Sequence, residues 1–428
     1  MNKYIKGRFF MLLLVSAGVC GATAQHRLTL DECLEEALNN NVKMKNAGND
    51  IEAARQDERQ AFTRFFPTVS ASGFAFDSNK PLISMNVAPG ASMSMMKDGV
   101  AGGVSAGMPL FAGGQIVNTH KLSKLNIEVN RLKRNLSENE VRLTTEQYFW
   151  QAAVLKEKLN TIAAVEKQLA SMRGDVTAAV DAGVADRNDL LQVKLRENET
   201  KNTRIKTENA LGVTLSLLAQ YIGHPSDSID VDATFPYSLP GRPDSLFCSP
   251  EASLTTTSEY RLLESNVEAA RLKKRLAVGK NLPTVAIGAG YMYDNLMEKD
   301  HPFLIGFATV SVPLTAWWGG SHEVKKQELQ LRNARNEFDD SSRMLLIKMR
   351  NAWNKLNDTY RQIELSLEAV NQSAENLRLH TDYYQAGTCT MSDLLEAQTI
   401  YINTRDSYAE SMAQYEISKC EYLQATGR

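Results

Sequence analysis

Beyond its first residues the chain has no apolar run approaching the about 20 residues that a membrane-spanning helix needs. Any passage through a bilayer must therefore use another structure. Cysteine is scarce: Cys20 falls in the opening apolar stretch, and Cys33, Cys248, Cys389 and Cys420 stand far apart with no C-x-x-C pair. That excludes a disulfide framework for a chain of 428 residues, and free thiols are the expectation, with a single bridge as the alternative. The histidines, at 26, 120, 224, 301, 322 and 380, show no metal-ligand spacing, and neither H-E-x-x-H nor the phosphate-binding P-loop pattern occurs. Gly288-Ala289-Gly290 lies inside a strand candidate, which argues against a nucleotide loop. No enzyme and no cofactor are therefore indicated. Basic clusters are also missing. Removing the leader residues Lys3, Lys6 and Arg8 moves the formal net charge from −2 to −5, which disfavours nucleic acid as a partner. Proline is absent from 114–181 and from 321–384, yet five of the twelve prolines crowd between Pro225 and Pro250.

Residues 1–24 read as a signal peptide: a basic start, an apolar run over 9–22, and a small-x-small site at Ala22-Thr23-Ala24 before Gln25. A lipoprotein signal ending at Cys20 is the runner-up, and Val19 before that cysteine fits it poorly. The chain is thus expected to be exported.

The remainder states the same plan twice. Glu52-Ala53-Ala54-Arg55 and then Pro67-Thr68-Val69 return as Glu268-Ala269-Ala270-Arg271 and Pro283-Thr284-Val285. Pro109-Leu110 with Gly113-Gly114 returns as Pro313-Leu314 with Gly319-Gly320. Ala182-Gly183 with Asp189-Leu190-Leu191 returns as Ala386-Gly387 with Asp393-Leu394-Leu395. The period is roughly 200 residues, far beyond the 20–50 of a solenoid, so each copy is a whole assembly. The copies span 25–222 and 258–428, joined by the proline-rich segment 223–257.

Within each copy the pattern alternates between helix and strand. Thr29 or Asp31 opens a first short helix, and a second stops before Pro67. Residues 68–77 and 101–110 are strand candidates, as are 284–293 and 303–312, while 78–100 reads as a loop on the strength of Pro81, Pro89 and Gly90. Met85, Met93, Met95 and Met96 in that loop are of the type that holds soft metal ions, but an incidental methionine-rich loop is the preferred reading. Long helices follow over 114–181 and 321–384, each roughly 100 Å at 1.5 Å per residue, lengths that survive only by packing along a seam. In the last helix Leu394, Tyr401, Tyr408, Tyr415 and Tyr422 fall at strict sevens. An aromatic substrate track is one reading of that ladder; a coiled-coil seam opposite Thr404, Ser411 and Ser418 is the preferred one.

Strands of about ten residues have the length needed to cross a bilayer at a tilt. Val285, Ile287, Ala289, Tyr291 and Tyr293 alternate with Ala286, Gly288, Gly290 and Met292, as in a barrel wall with lipid on one side. Four strands cannot close a barrel, and open edges in lipid leave backbone groups unpaired, so the chain must oligomerise.

Over its whole exported length the chain resembles the TolC-like outer-membrane efflux protein family. The resemblance rests on the twofold helix–strand–strand–long helix–helix plan and on Leu28-Thr29-Leu30 before the first helix. It rests also on two tip motifs, running from Ala182-Gly183-Val184-Ala185-Asp186-Arg187 to Leu191, and from Tyr384-Gln385-Ala386-Gly387-Thr388-Cys389 to Glu396. It implies a mainly α protein with a transmembrane β-barrel portion: a homotrimer with a 12-strand barrel in outer-membrane lipid and a 12-helix periplasmic tunnel. It further implies a periplasmic adaptor (membrane fusion) protein and an inner-membrane pump of proton-driven or ABC type as partners, and efflux of small molecules as the function.

Gly183 and Gly387 are expected to end the long helices in the left-handed conformation, and Asp189 and Asp393 to lie near the start of the return helices. Asp393 and Glu396 share a helix face about 100° away from the Leu394 seam. The resemblance makes them a ring of pore-constriction carboxylates at the tunnel entrance. It also implies an entrance lock that matches Tyr384 and Asp189. Cys389 replaces an expected basic residue, with Arg187 as a candidate substitute. Ala182, Gly183, Val184, Ala185, Ala386, Gly387, Thr388 and Cys389 are the expected adaptor-docking tips. Two other readings compete: a duct for type I protein secretion, and a periplasmic coiled-coil adaptor or scaffold.

Overall fold

The computed structural model describes residues 26–88, 91–224, 229–296, 300–314 and 316–428. The expected signal peptide, residues 1–24, lies outside the described residues. In chain order the elements are β1 (His26–Leu28), α1 (Leu30–Asn40), α2 (Val42–Thr63), β2 (Thr68–Asp77), β3 (Ile83–Ala88), β4 (Ala91–Met95) and β5 (Asp98–Ala112). Then come α3 (Gln115–Asp181), α4 (Arg187–Ile222), β6 (Ile229–Val231), α5 (Pro250–Ser253), α6 (Ser258–Lys280), β7 (Thr284–Asp294), β8 (His301–Ser311), α7 (Ala316–Gln385) and α8 (Met391–Ala425). The chain is mainly helical. No described helix is long and apolar enough to cross a membrane.

At 67 and 70 residues, α3 and α7 dominate the molecule. At 1.5 Å per residue each is roughly 100 Å long. α3 folds back onto α4 and α7 onto α8, while α2 and α6 pack along the first parts of α3 and α7. The main core sits where these hairpins meet, around Phe149, Leu218, Ile222, Leu356, Ile363 and Tyr408. Burial of side chains of this size contributes about 1.5–3 kcal/mol each. A second core binds the hairpins near their turns through Leu169, Met172, Val176, Val193, Met391 and Leu394.

β1 pairs in parallel with β6, tying the start of the described chain to the proline-rich segment. Lys156 of α3 holds this pair, donating to the Asp230 carboxylate at 2.6 Å and to the Val231 carbonyl at 2.8 Å. The tyrosines of α8 hold the same segment further on. Tyr408 donates to the Pro236 carbonyl (2.6 Å), Tyr415 to the Gly241 carbonyl (3.0 Å), and the Tyr422 hydroxyl accepts from the Cys248 N–H (2.9 Å). All three rings are buried, and Tyr237 stacks on Tyr408 at 5.3 Å. The heptad ladder therefore serves as a seam whose polar tips clamp a segment with little regular structure of its own.

The strands β2, β5, β7 and β8 form one antiparallel sheet in that order, with β2 and β8 at its edges. Register sorts their side chains into two faces. One carries Val69, Ala71 and Ala75, then Val100, Val104, Ala106 and Met108, then Val285, Ile287, Ala289 and Tyr291, then Leu304, Ala308 and Val310. The other carries Ser70 and Ser72, Gly103, Ser105 and Gly107, and Gly288 and Gly290, with a Ser70–Ser105 hydroxyl contact at 3.1 Å. Apart from Met292 of β7, which stands over Gly103, the bulky residues on this second face are on the edge strands, and Phe307 fills the space that a side chain at Gly288 would need.

Two local differences from the sequence reading have physical causes. β5 extends beyond 101–110 at both ends, and a bulge between Pro109 and Phe111 absorbs the extra residue where proline lacks a ladder N–H. Residues 78–100, read as a loop, carry the β3–β4 hairpin, in which Pro81 precedes the first strand; Pro89 and Gly90 lie outside the described residues. The described cysteines, Cys33, Cys248, Cys389 and Cys420, are free.

Candidate functional site at the helix turns

Both long helices end in the same way. Gly183 has φ +75° and Gly387 φ +71°, the left-handed conformation that stops a helix at little cost only in glycine. Backbone bonds then close each turn: Val184 N–H to the Ala179 carbonyl and Thr388 N–H to the Tyr383 carbonyl, both 2.9 Å. A Cβ built at either glycine meets nothing within 4 Å, so both turns project into open space. Ala182, Ala386 and Thr388 are exposed, Val184 is 78 % exposed, and Ala185 is half-buried.

The return helices start differently. α4 is capped by Asp186, whose carboxylate accepts from the Asn188 N–H at 2.9 Å. Asp189 stands in its first turn and does not cap. α8 opens on a reciprocal capping box: Thr390 accepts from the Asp393 N–H at 3.2 Å, while the Asp393 carboxylate accepts from the Thr390 N–H at 2.9 Å and its hydroxyl at 2.7 Å. These bonds from Thr390 hold the Asp393 carboxyl below its ordinary range. Glu396, one turn on, is exposed and makes no hydrogen bond or ion pair among the described residues. Both carboxylates point away from the Leu394 and Ala397 seam, which is buried.

The residues expected to lock the entrance come only partly together. Burial raises the Tyr384 phenol above its ordinary value, and the charge of Asp189 adds to the effect. No hydrogen bond joins these side chains within the chain, and Arg187 is exposed without an ion pair among the described residues. Cys389 is half-buried, its thiol 3.5 Å from the His380 carbonyl, and its pKa is raised by burial and by Asp393.

Tyr384 lines a groove of about 480 Å³ between the hairpins, with Met172, Val176, Val184, Thr381 and Leu394. Above it the hairpins are stitched by polar residues. Gln398 donates to Gln168 at 3.0 Å, and Arg196 to the Thr399 hydroxyl at 2.6 Å. Sequence reasoning missed Thr390 and Gln398. Their signals were a threonine three residues before an acid and a polar residue beside the apolar seam.

The deciding observation is the length over which one family pattern fits this arrangement: the sequence pattern of the outer membrane efflux proteins matches residues 33–224 and 261–428. The chain belongs to the outer membrane efflux protein family. Solved structures share the fold of this efflux protein. The outer membrane protein VceC of Vibrio cholerae superposes with a TM-score of 0.78 at 14% identity, covering 93% of this chain and 96% of that one. The Campylobacter jejuni CmeC outer membrane channel gives 0.77 at 15%, covering 93% and 85%. The open state of the Neisseria gonorrhoeae MtrE outer membrane channel gives 0.76 at 14%, covering 93% and 88%. No curated protein sequence matches the chain. The efflux protein is thus an outer-membrane duct with a large periplasmic portion.

Proposed function

We propose that three copies of the chain close their sheets into one 12-strand barrel and their hairpins into one 12-helix tunnel, through which small molecules pass from periplasm to exterior. The observation that carries this is the sheet itself: β2 and β8 are both unpaired edges, and one face is apolar from edge to edge. An unpaired edge costs several kcal/mol per backbone group in hydrocarbon, so the apolar face and the open edges are compatible only if neighbouring copies pair with them. In this reading each protomer contributes two sequence copies, residues 25–222 and 258–428, joined at the tunnel's waist by 223–257.

At the tunnel's far end the turns around Gly183 and Gly387 form the docking rim for a periplasmic adaptor, which links the duct to an inner-membrane pump of proton-driven or ABC type. Asp393 and Glu396 from three copies converge there as six carboxylates that attract cations and repel anions. Asp189, Tyr384 and Arg187, unlinked within one chain, find their partners across the subunit boundary and hold the entrance closed. Fractionation tests the reading directly. A heat-modifiable trimer in outer-membrane extracts is the expected result; quantitative release with the soluble periplasmic contents would overturn it in favour of a scaffold.

A further inference from the structure

The helices that lead into the first strand of each sequence copy, α2 and α6, carry a matched pattern at their upper ends. On α2 it runs Arg55, Arg59, Phe62, Phe66; on α6 it runs Arg271, Arg275, Val278, Leu282. The spacing of four, three and four keeps each set within about 60° of helical rotation, a single stripe. The last member of each lies in the turn just beyond the helix, where the Phe66 N–H bonds the Thr63 carbonyl and the Leu282 N–H bonds that of Gly279. The Phe62 and Phe66 rings meet edge to face at 5.4 Å, which confirms that the stripe is continuous.

All eight residues are open to solvent except by their own neighbours. Phe62 and Phe66 are 48 % and 53 % exposed, and Val278 and Leu282 42 % and 39 %. The lower arginine of each stripe pairs with a glutamate three residues before it, Arg55 with Glu52 at 3.0 Å and Arg271 with Glu268 at 2.6 Å. The upper arginines, Arg59 and Arg275, make no hydrogen bond or ion pair among the described residues. Large apolar side chains left exposed at the same place in both copies need an apolar neighbour. Leu314 and Trp318, exposed at the junction of β8 and α7, need one too.

We infer that the two stripes of each protomer bind the phosphodiester headgroups of anionic phospholipid in the leaflet facing the periplasm. The inference rests on the proposed barrel, which fixes the bilayer at the strands. The apolar pair of each stripe then lies at the edge of the hydrocarbon, directly below Thr68 or Thr284. Arg59 lies roughly 10 Å below Phe66 along the helix, and Arg275 equally far below Leu282. The headgroup layer is about 5–8 Å deep, and Arg59 and Arg275 stand about 4.5 Å below Phe62 and Val278, the lower members of the apolar pairs, so their guanidinium groups fall at its depth. A guanidinium suits the task because its planar fork donates two parallel hydrogen bonds to a phosphate, which a point-charge ammonium does not.

Lipid retained by the purified full-length trimer tests this. The trimer is reconstituted in nanodiscs of equal phosphatidylglycerol and phosphatidylcholine, ejected, and weighed with its bound lipid by native mass spectrometry. The wild type should retain phosphatidylglycerol several-fold over phosphatidylcholine, and Arg59→Gln with Arg275→Gln should remove most of that preference while leaving the trimer intact. Equal retention of the two lipids by the wild type overturns the inference without reference to any variant. So does an undiminished preference in the double variant, or release of the lipid by millimolar inorganic phosphate, which would make these plain anion sites. Absence of a membrane-embedded trimer would overturn the barrel, and the lipid sites with it, so the two failures are read separately.

Discussion

Gly183 and Gly387 separate folding from docking because their surroundings are open. With no atom near a built Cβ, a bulky substitute meets no clash and bears only the left-handed backbone cost, about 1–2 kcal/mol. Gly387→Trp should therefore leave trimer yield nearly unchanged while abolishing dye export; loss of the trimer itself would reduce the glycine to a turn former. The carboxylates next to it need a finer instrument. Asp393 is held by Thr390, so its folded pKa lies below the ordinary 3.8. A depressed acid stabilises the fold above its unfolded pKa and loses that effect as pH falls through the folded value, so the α8 cap should persist into mild acid. Asp393→Asn consequently disturbs the cap as well as any filter. Glu396→Gln does not, since Glu396 makes no hydrogen bond or ion pair among the described residues. In planar-bilayer recordings Glu396→Gln should weaken cation selectivity and relieve block by multivalent cations applied from the tunnel side. Unaltered selectivity would return Glu396 to an ordinary solvated helix face.

The tyrosine ladder of α8 ties a long helix to a segment that has almost no regular structure. Tyr408→Phe removes one buried bond to the Pro236 carbonyl and should lower stability by about 1 kcal/mol. Tyr422→Ala also empties a packed site against Trp353 and should cost about 3–5 kcal/mol; urea titration of the trimer measures both. Burial pushes the Tyr415 phenol up to about 12 from 10.0. Its unfolded form ionises first as pH rises, so stability should fall between those values, and tyrosinate absorbance should rise together with unfolding. Much of this element scale was legible in advance. The absence of proline marked both long helices, and the step of seven marked the α8 seam. What that seam grips was not legible, because residues 236–248 have no periodicity and lie far away in the chain. The β3–β4 hairpin escaped because Pro81, Pro89 and Gly90 are loop signals whether or not strands lie between them. The Thr390–Asp393 box escaped because the usual sequence sign has glutamate or glutamine at the third helical position.

At the scale of the whole molecule the sheet dictates assembly. A lysine at Ile287 would sit on the apolar face of an inner strand, flanked by Met108 of β5 and Ala308 of β8, where a charge near the bilayer midplane costs about 2–4 kcal/mol. Ile287→Lys should sharply reduce the heat-modifiable trimer on gels of outer-membrane extracts; a normal yield would mean that this face lines the lumen. The strands were legible from alternation, whereas the order β2-β5-β7-β8, which joins the two sequence copies through β5 and β7, could not be read from pattern alone. The two turns differ as well. One is capped by an aspartate next to an exposed arginine, the other by a threonine–aspartate pair next to a thiol. In the proposed closed ring of three chains these turns would alternate, so the rim would approximate a sixfold circle but have only threefold symmetry. Anything that grips all of it faces two chemistries in strict alternation: identical gripping units must tolerate both, or must themselves divide into two classes, three of each.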